Sequence, residues 1–317
     1  MATWILIAGA SAAVTLLVVR RIVNSNKMMC LSKVMLTGKT VIITGANCGI
    51  GKAAARELAK RHARVILACR DVDRGAEAAS EIRKLTNNGE LVVKRLDLAS
   101  LRSVRAFCEE FRREEDRLDI LINNAGIFQC PYSKTEDGFE MQMGVNHLGH
   151  FLLTNLLLDM LKSSHGRIVV VASSLLKYGS INFSDLFAEK HYDRKKAYAD
   201  SKLANAHFCR HLSKNLEGTG VNVYCVHPGM VLTNLGRHLM PVGIKLVLTP
   251  LAWLFGIKTP TEGCQTVVYC SIAEELSNST GKYYGNCKED PWPKVACDDS
   301  VAKKLWEVSE KLTNKSV

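Results

Sequence analysis

Residues 40–51 decide the fold: Thr40-Val41-Ile42-Ile43-Thr44-Gly45-Ala46-Asn47-Cys48-Gly49-Ile50-Gly51. TVIIT (40–44) is a β-branched run of strand character. GKAAARELAKR (51–61) carries the residues that favour a helix. Glycines between the two let the backbone turn sharply and approach a diphosphate, which then rests on the N-terminus of the helix. A glycine-rich βα turn alone says little. Its place after a buried strand and before an amphipathic helix points to a dinucleotide site. Gly45, Asn47, Cys48, Gly49, Ile50 and Gly51 are the expected contacts.

Outward from this turn the chain alternates short β-branched runs with helical patterns. Strands are predicted over 63–69, 91–95, 119–123, 167–173 and 221–226, and helices over 73–86, 99–113, 136–162 and 196–216. Repeated βα units of this length require right-handed crossovers. The expected fold class is therefore α/β: a single doubly wound parallel sheet of the Rossmann type, about seven strands, with helices on both faces. The 317 residues suit one such domain, and 47% apolar with 23% charged residues excludes a disordered or collagen-like chain.

The second strand ends at Cys69-Arg70. An NAD site usually carries an acidic side chain at this strand end to bond the ribose 2′-hydroxyl. Here the position is apolar, and Arg70 follows, able to pair with a 2′-phosphate. NADP is the expected cofactor; the rival reading is a surface arginine answering Asp71 or Asp73. Three YxxxK pairs occur: Tyr192/Lys196, Tyr198/Lys202 and Tyr284/Lys288. Helical i,i+4 spacing puts both side chains on one face. Only Tyr198 opens a sustained helical run, since Tyr192 sits in the charged stretch HYDRKK and Tyr284 precedes the turn signal Gly285-Asn286. Tyr198 and Lys202 are the pair of interest.

TGANCGIG (44–51), Asn123-Asn124-Ala125-Gly126, Tyr198-Ala199-Asp200-Ser201-Lys202 and Pro228-Gly229 follow in the order and spacing of the short-chain dehydrogenase/reductase family, which residues 39–290 resemble. Longer stretches such as GVNHLGHFLLTNLLL are similar to its microsomal retinol dehydrogenases. The resemblance implies an oxidoreductase. Tyr198 would be the general acid/base and Lys202 its electrostatic support and a ribose contact. Ser173 would orient the substrate oxygen, and Asn146 would belong to the proton relay. It also implies cofactor contacts at Asp97, Leu98, Asn124, Ala125, Gly126, Tyr198, Lys202, Pro228, Gly229, Val231 and Thr233. Two departures are Val170, where many members have asparagine, and Cys48, where Ser or Thr is common. Residues 235–262 occupy the place of the family's substrate lid, and their apolarity suits a lipophilic, retinoid-like substrate or simple helix packing.

Residues 2–19 (ATWILIAGASAAVTLLVV) carry no charge and as a helix would span about 27 Å. Arg20, Arg21, Lys27 and Lys33 follow, with no acidic residue before Glu57. The pattern predicts a membrane anchor over 1–21 and a basic stem over 22–38, with the catalytic domain (39–317) on the cytosolic face of the endoplasmic reticulum. The rivals are a mitochondrial membrane and a cleaved signal peptide, the latter lacking a basic n-region. With Lys39, Lys52 and Arg56 added, the acid-free first 56 residues hold seven of the net charge of +11. No basic stripe interleaved with aromatics appears, so nucleic-acid binding is not expected. The eleven cysteines form no CxxC and read as reduced thiols, and His207/His211 lack the glutamate of a HExxH site, so no metal is expected. A homodimer is compatible with the sequence. The leading expectation is NADP(H)-dependent interconversion of retinol and retinal, favouring carbonyl reduction. Reduction of lipid aldehydes or steroids is the alternative, and a non-catalytic NADP-binding scaffold is the reading from a different class.

Overall fold

A computed structural model describes residues 28–86, 90–232 and 257–314. The expected anchor, the first part of the stem, Thr233 and most of the lid lie outside the described residues. Among the described residues no helix is long and apolar enough to cross a membrane.

Among the described residues eight strands form one sheet in the order β3-β2-β1-β4-β5-β6-β7-β8. They are β1 (Thr40–Thr44), β2 (Arg64–Cys69), β3 (Glu90–Arg95), β4 (Ile120–Asn123), β5 (Arg167–Val171), β6 (Asn222–His227), β7 (Lys282–Gly285) and β8 (Lys288–Asp290). The first seven pair in parallel. These seven match the expected parallel sheet of about seven strands; the eighth is an addition that folds back antiparallel on β7 through Asn286 and Cys287, both at positive φ.

Alternation within β1 shows why the sheet needs helices on both sides. Val41 and Ile43 face one core cluster and Ile42 the other, all fully buried. On the first side lie α1 (Gly49–Ala59), α2 (Val72–Thr86) and the two short helices α8 (Pro260–Gly263) and α9 (Gln265–Ile272). The small face of α1, Ala53, Ala54, Ala55 and Ala59 around Leu58, brings that helix close to the sheet. On the second side lie α3 (Leu101–Glu114), α5 (Gly149–Leu156) and α7 (Arg194–Asn215). The C-terminal α10 (Asp299–Asn314) covers them, with Trp306 stacked against Phe208 and edge-on to Phe151 at 4.9 Å. Each large side chain so buried contributes about 1.5–3 kcal/mol.

The long helix expected over 136–162 is three pieces. Gly138 at φ +83° makes a turn, and the Glu140 carboxylate accepts the Gln142 and Met143 N–H groups, so the helix starts only there. α4 (Met141–Met143) leads through a wide π turn (Gly144–Leu148) into α5, and α6 (Leu158–Ser163) follows. The arm before β1 lies along the first side. Leu36 is buried, the Ser32 carbonyl accepts from Arg61, Cys30 N–H donates to Gln265, and Cys287 Sγ reaches the Met28 carbonyl at 3.7 Å. Lys39 stands at the N-terminal edge of the sheet and Cys287 beyond the C-terminal end of β7, so residues 28–39 run from one edge to the other.

Candidate active site

Strand order reverses between β1 and β4, and the crevice at that switch point is where an open parallel sheet receives a ligand. Two glycines shape its floor. Gly45 has φ +65°, and a Cβ there would stand 3.0 Å from Ala125; a Cβ on Gly51 would lie 2.5 Å from the Gly45 carbonyl and 2.6 Å from Asn124 Nδ2. Asn124 Nδ2 donates to the Thr44 carbonyl at 2.8 Å, and Thr44 Oγ1 accepts from the Asn124 and Ala125 N–H groups at 2.9 and 2.8 Å. The two strand ends are thereby locked together. Helix α1 opens above this floor with no side-chain cap from Cys48 and no acid in its first turn. Free N–H groups at the positive end of a helix dipole, over a cradle that a Cβ would fill, fit a diphosphate. Asn47, Cys48, Gly49 and Ile50, all partly exposed, border it.

At the adenosine side, Cys69 is 1% exposed, and its thiol takes hydrogen bonds from the Ala46 and Asn47 backbone, so no carboxylate occupies the position that would bond a 2′-hydroxyl. Arg70 is exposed beyond it. The rival reading for Arg70 is not what is found: Asp71 accepts from the Arg74 N–H at 3.1 Å, and among the described residues no carboxylate pairs with Arg70. Asp97 is half-buried and accepts from the Ala99 N–H, and Leu98 is buried beside it. At the other end, Pro228 and Gly229 (φ +79°) form a turn after β6, and Val231 bridges to Lys258. These residues fit a nicotinamide dinucleotide; Thr233 lies outside the described residues.

The predicted proton-handling residues converge on one wall of the crevice. Tyr198 is 5% exposed on α7, with Phe128 edge-on at 4.5 Å. Burial pushes its phenol up to about 12, against the opposing pull of its hydrogen bond to Ser173. Ser173 also caps the turn after β5 by accepting from Leu175 N–H, whereas Ser174 points to solvent. Lys202 is buried one turn on from Tyr198. Its Nζ donates to the Val171 carbonyl at 2.9 Å, and burial draws its pKa down to about 8. Nζ stands 5.8 Å from the Tyr198 ring centre, and a Cβ on Gly126 would be 3.5 Å from it. Asn146 lies at the centre of the π turn, fully buried. Its Oδ1 accepts from Ile127 N–H at 2.8 Å, while Nδ2 donates to the Ile127 carbonyl and to Ser201 Oγ. Ser201 in turn donates to the Tyr198 carbonyl at 2.8 Å.

The other two YxxxK pairs are occupied structurally. Tyr192 donates to the Cys130 carbonyl and accepts from Gln142, while Lys196 pairs with Asp200 at the surface. Tyr284 is buried against Ser279. His207 is buried and His211 packs on Trp306; among the described residues no group of side chains is arranged to hold a metal. None of the eleven cysteines is in a disulfide. His150 was absent from the sequence expectations, although it stands four residues after Asn146. It is 2% exposed and bonds both to Thr44 and to the Asn146 carbonyl.

Residues 39–241 match the family described as short chain dehydrogenase. Over 291 residues the chain is 55% identical to human retinol dehydrogenase 14, covering 87% of this chain and 86% of that protein. It is 52% identical to human retinol dehydrogenase 12 over 284 residues, 89% and 88% of the two chains. Among solved structures, a Mycobacterium paratuberculosis protein superposes with a TM-score of 0.73 at 33% identity, covering 91% of this chain and 98% of that one. A Beutenbergia cavernae protein, described as an NAD(P) dependent gluconate 5-dehydrogenase and holding NADP at low occupancy, gives 0.62 at 28% identity over 80% and 96%.

Proposed function

From the premise that the chain belongs to the short-chain dehydrogenase/reductase family of oxidoreductases, we propose that it is an NADP(H)-dependent reductase of lipophilic aldehydes, retinal foremost. The cofactor preference rests on one observation: Arg70 stands exposed and unpaired among the described residues, beside a buried thiol where an NAD site needs a carboxylate. The substrate class rests on the retinol dehydrogenases to which the chain is similar.

When bound, a nicotinamide supplies or accepts the hydride. Gly45, Gly51 and the α1 N-terminus would hold its diphosphate and Arg70 its 2′-phosphate, while Pro228, Gly229 and Lys202 would flank the nicotinamide riboside. The chain itself handles the proton. Tyr198, its phenol held far above neutral pH, stays protonated and can donate to a carbonyl oxygen that acquires negative charge. Ser173, hydrogen-bonded to that phenol, gives the same oxygen a second donor and fixes its approach. The Lys202 ammonium, close to the ring, stabilises the phenolate left behind.

Residues 2–19 would anchor the chain in the endoplasmic reticulum membrane, with the domain facing the cytosol. The arm favours this arrangement. Its exposed side chains include Met28, Met29, Leu31 and Met35, and it leaves the domain at the edge of the sheet that carries the crevice. A lipid-dissolved substrate would then reach the site over a short path. The test is a panel of retinal, lipid aldehydes and steroid ketones with NADPH or NADH, using the full-length protein and Tyr198→Phe. NADPH-dependent retinal reduction that falls at least 100-fold in the variant is expected. Undiminished reduction by Tyr198→Phe, or no binding of NADPH, overturns the reading.

A further inference from the structure

His150 bonds to neither glycine of the crevice floor nor to Tyr198, yet it joins the backbones that carry them. Its Nδ1 lies 3.0 Å from the Asn146 carbonyl and its Nε2 2.9 Å from Thr44 Oγ1. The proton positions follow from the partners. A carbonyl can only accept, so Nδ1 carries the hydrogen. Thr44 Oγ1 already accepts from two backbone N–H groups, Asn124 and Ala125, which fills both lone pairs. Its own hydrogen therefore points to Nε2, the nearer acceptor, rather than to the Ile122 carbonyl at 3.4 Å. The bonds form a single directed chain from the Asn124–Ala125 backbone through the Thr44 hydroxyl and the imidazole to the Asn146 carbonyl.

The far end of this chain is a place that needs bracing. Asn146 sits in a π turn, whose wide geometry is poorly supported by helical bonding alone. Its side chain clamps both backbone groups of Ile127 and holds Ser201, which holds the Tyr198 carbonyl. We propose that His150 is a positioning residue: by donating to the Asn146 carbonyl from an imidazole seated on Thr44, it fixes the π turn that orients Tyr198, and so ties the geometry of proton transfer to the strand end on which the dinucleotide rests. The inference builds on the reductase reading, because Tyr198 must be the proton donor for its orientation to matter.

Two amide substitutions separate the ends of the brace. Asparagine at 150 places an N–H near the position of Nδ1 and can still donate to Asn146; glutamine reaches the position of Nε2 and can still accept from Thr44. Full-length wild type, His150→Asn and His150→Gln are compared by NADPH titration of protein fluorescence, by the kcat and KM of all-trans-retinal reduction per NADPH-binding site, and by the solvent deuterium isotope effect on kcat. His150→Gln is expected to bind NADPH within about twofold of wild type. Its kcat should fall at least tenfold with KM little changed, and its isotope effect should rise as proton transfer becomes slower. His150→Asn is expected to recover most of kcat. Equal kcat in the two variants, a loss confined to His150→Asn, or loss of NADPH binding in both would overturn the proposal, the last by making His150 a part of the folded frame only. A wild type that binds NADPH but reduces no retinal would sink the retinoid reading instead, and the same comparison then proceeds with whichever carbonyl compound the panel identifies.

Discussion

Replacing Lys202 by methionine should raise the stability of the protein while removing its activity. The ammonium is 3% exposed, and burial draws its pKa from 10.5 to about 8. A depression of that size corresponds to about 3 kcal/mol of cost for holding the charge inside the fold. The sign follows from linkage: the folded state disfavours the protonated lysine, so the cost is fully present below pH 8, fades between pH 8 and 10.5, and vanishes above. Methionine keeps the volume of the stem and removes the charge. It also removes the bond from Nζ to the Val171 carbonyl, a loss of about 1–2 kcal/mol for a buried acceptor left short of a donor. The net gain is about 1–2 kcal/mol, or roughly 2–8 °C in Tm for a domain of this size. The assay is thermal unfolding of the full-length protein in detergent without cofactor, at pH 7 and pH 10, beside its NADPH-dependent turnover. At pH 7 Lys202→Met unfolds above wild type; at pH 10, where only about 0.8 kcal/mol of the cost remains against the lost Val171 bond, the order reverses, and turnover at both pH values falls at least 100-fold. A variant less stable than wild type at pH 7, or a difference that stays constant as pH rises, would refute the idea that the site bears the burden of a buried cation.

Arg70→Gln should weaken NADPH binding by about 10- to 100-fold, the effect of losing charged hydrogen bonds worth roughly 1.5–3 kcal/mol, and leave NADH binding within twofold. Because Arg70 is exposed, Tm should move little, and the wild-type preference for NADPH should decline with added salt; an unchanged cofactor ratio in isothermal titration sinks the assignment. The acceptor sequons at Asn182, Asn278 and Asn314 are all exposed. With the domain in the cytosol none should acquire glycan during synthesis with microsomes, and an endoglycosidase-sensitive mobility shift would reverse the topology.

Much of the fold was legible because the parallel strands are buried on both faces and read as unbroken apolar runs, TVIIT and DILIN among them. The same logic failed for β7. Its four residues KYYG are too short for a pattern, and the turn signal at Gly285-Asn286 is the hairpin that creates β8. Helix α10 hid for another reason: two of its inward positions are Ser309 and Thr313, buried polar residues whose side chains bond to His147 and to carbonyls of the same helix. At the site, Tyr198, Lys202 and the glycine turn announce themselves by spacing. Nothing in the pattern GVNHLGH says that a helix widens at Asn146, since a π turn has no composition of its own. The i,i+4 spacing of Asn146 and His150 was the available signal, but that spacing usually marks neighbours on a regular helix face. The role of Phe128, edge-on to Tyr198, depends on a loop and had no periodicity to reveal it.

The two outermost strands bear on how copies of the protein behave beside one another. β3 ends in exposed Glu90 and Arg95, with Lys94 pinned by Glu110 and Glu114 from α3; β8 is only Lys288-Glu289-Asp290, with Glu289 paired to Lys282. Short, charged margins are poor templates for strand addition from another molecule. Anchoring of the kind proposed would crowd the protein into two dimensions, where encounters between copies are frequent and prolonged. On such a surface these margins would act as bumpers, keeping collisions along the described sheet edges from growing into intermolecular sheets.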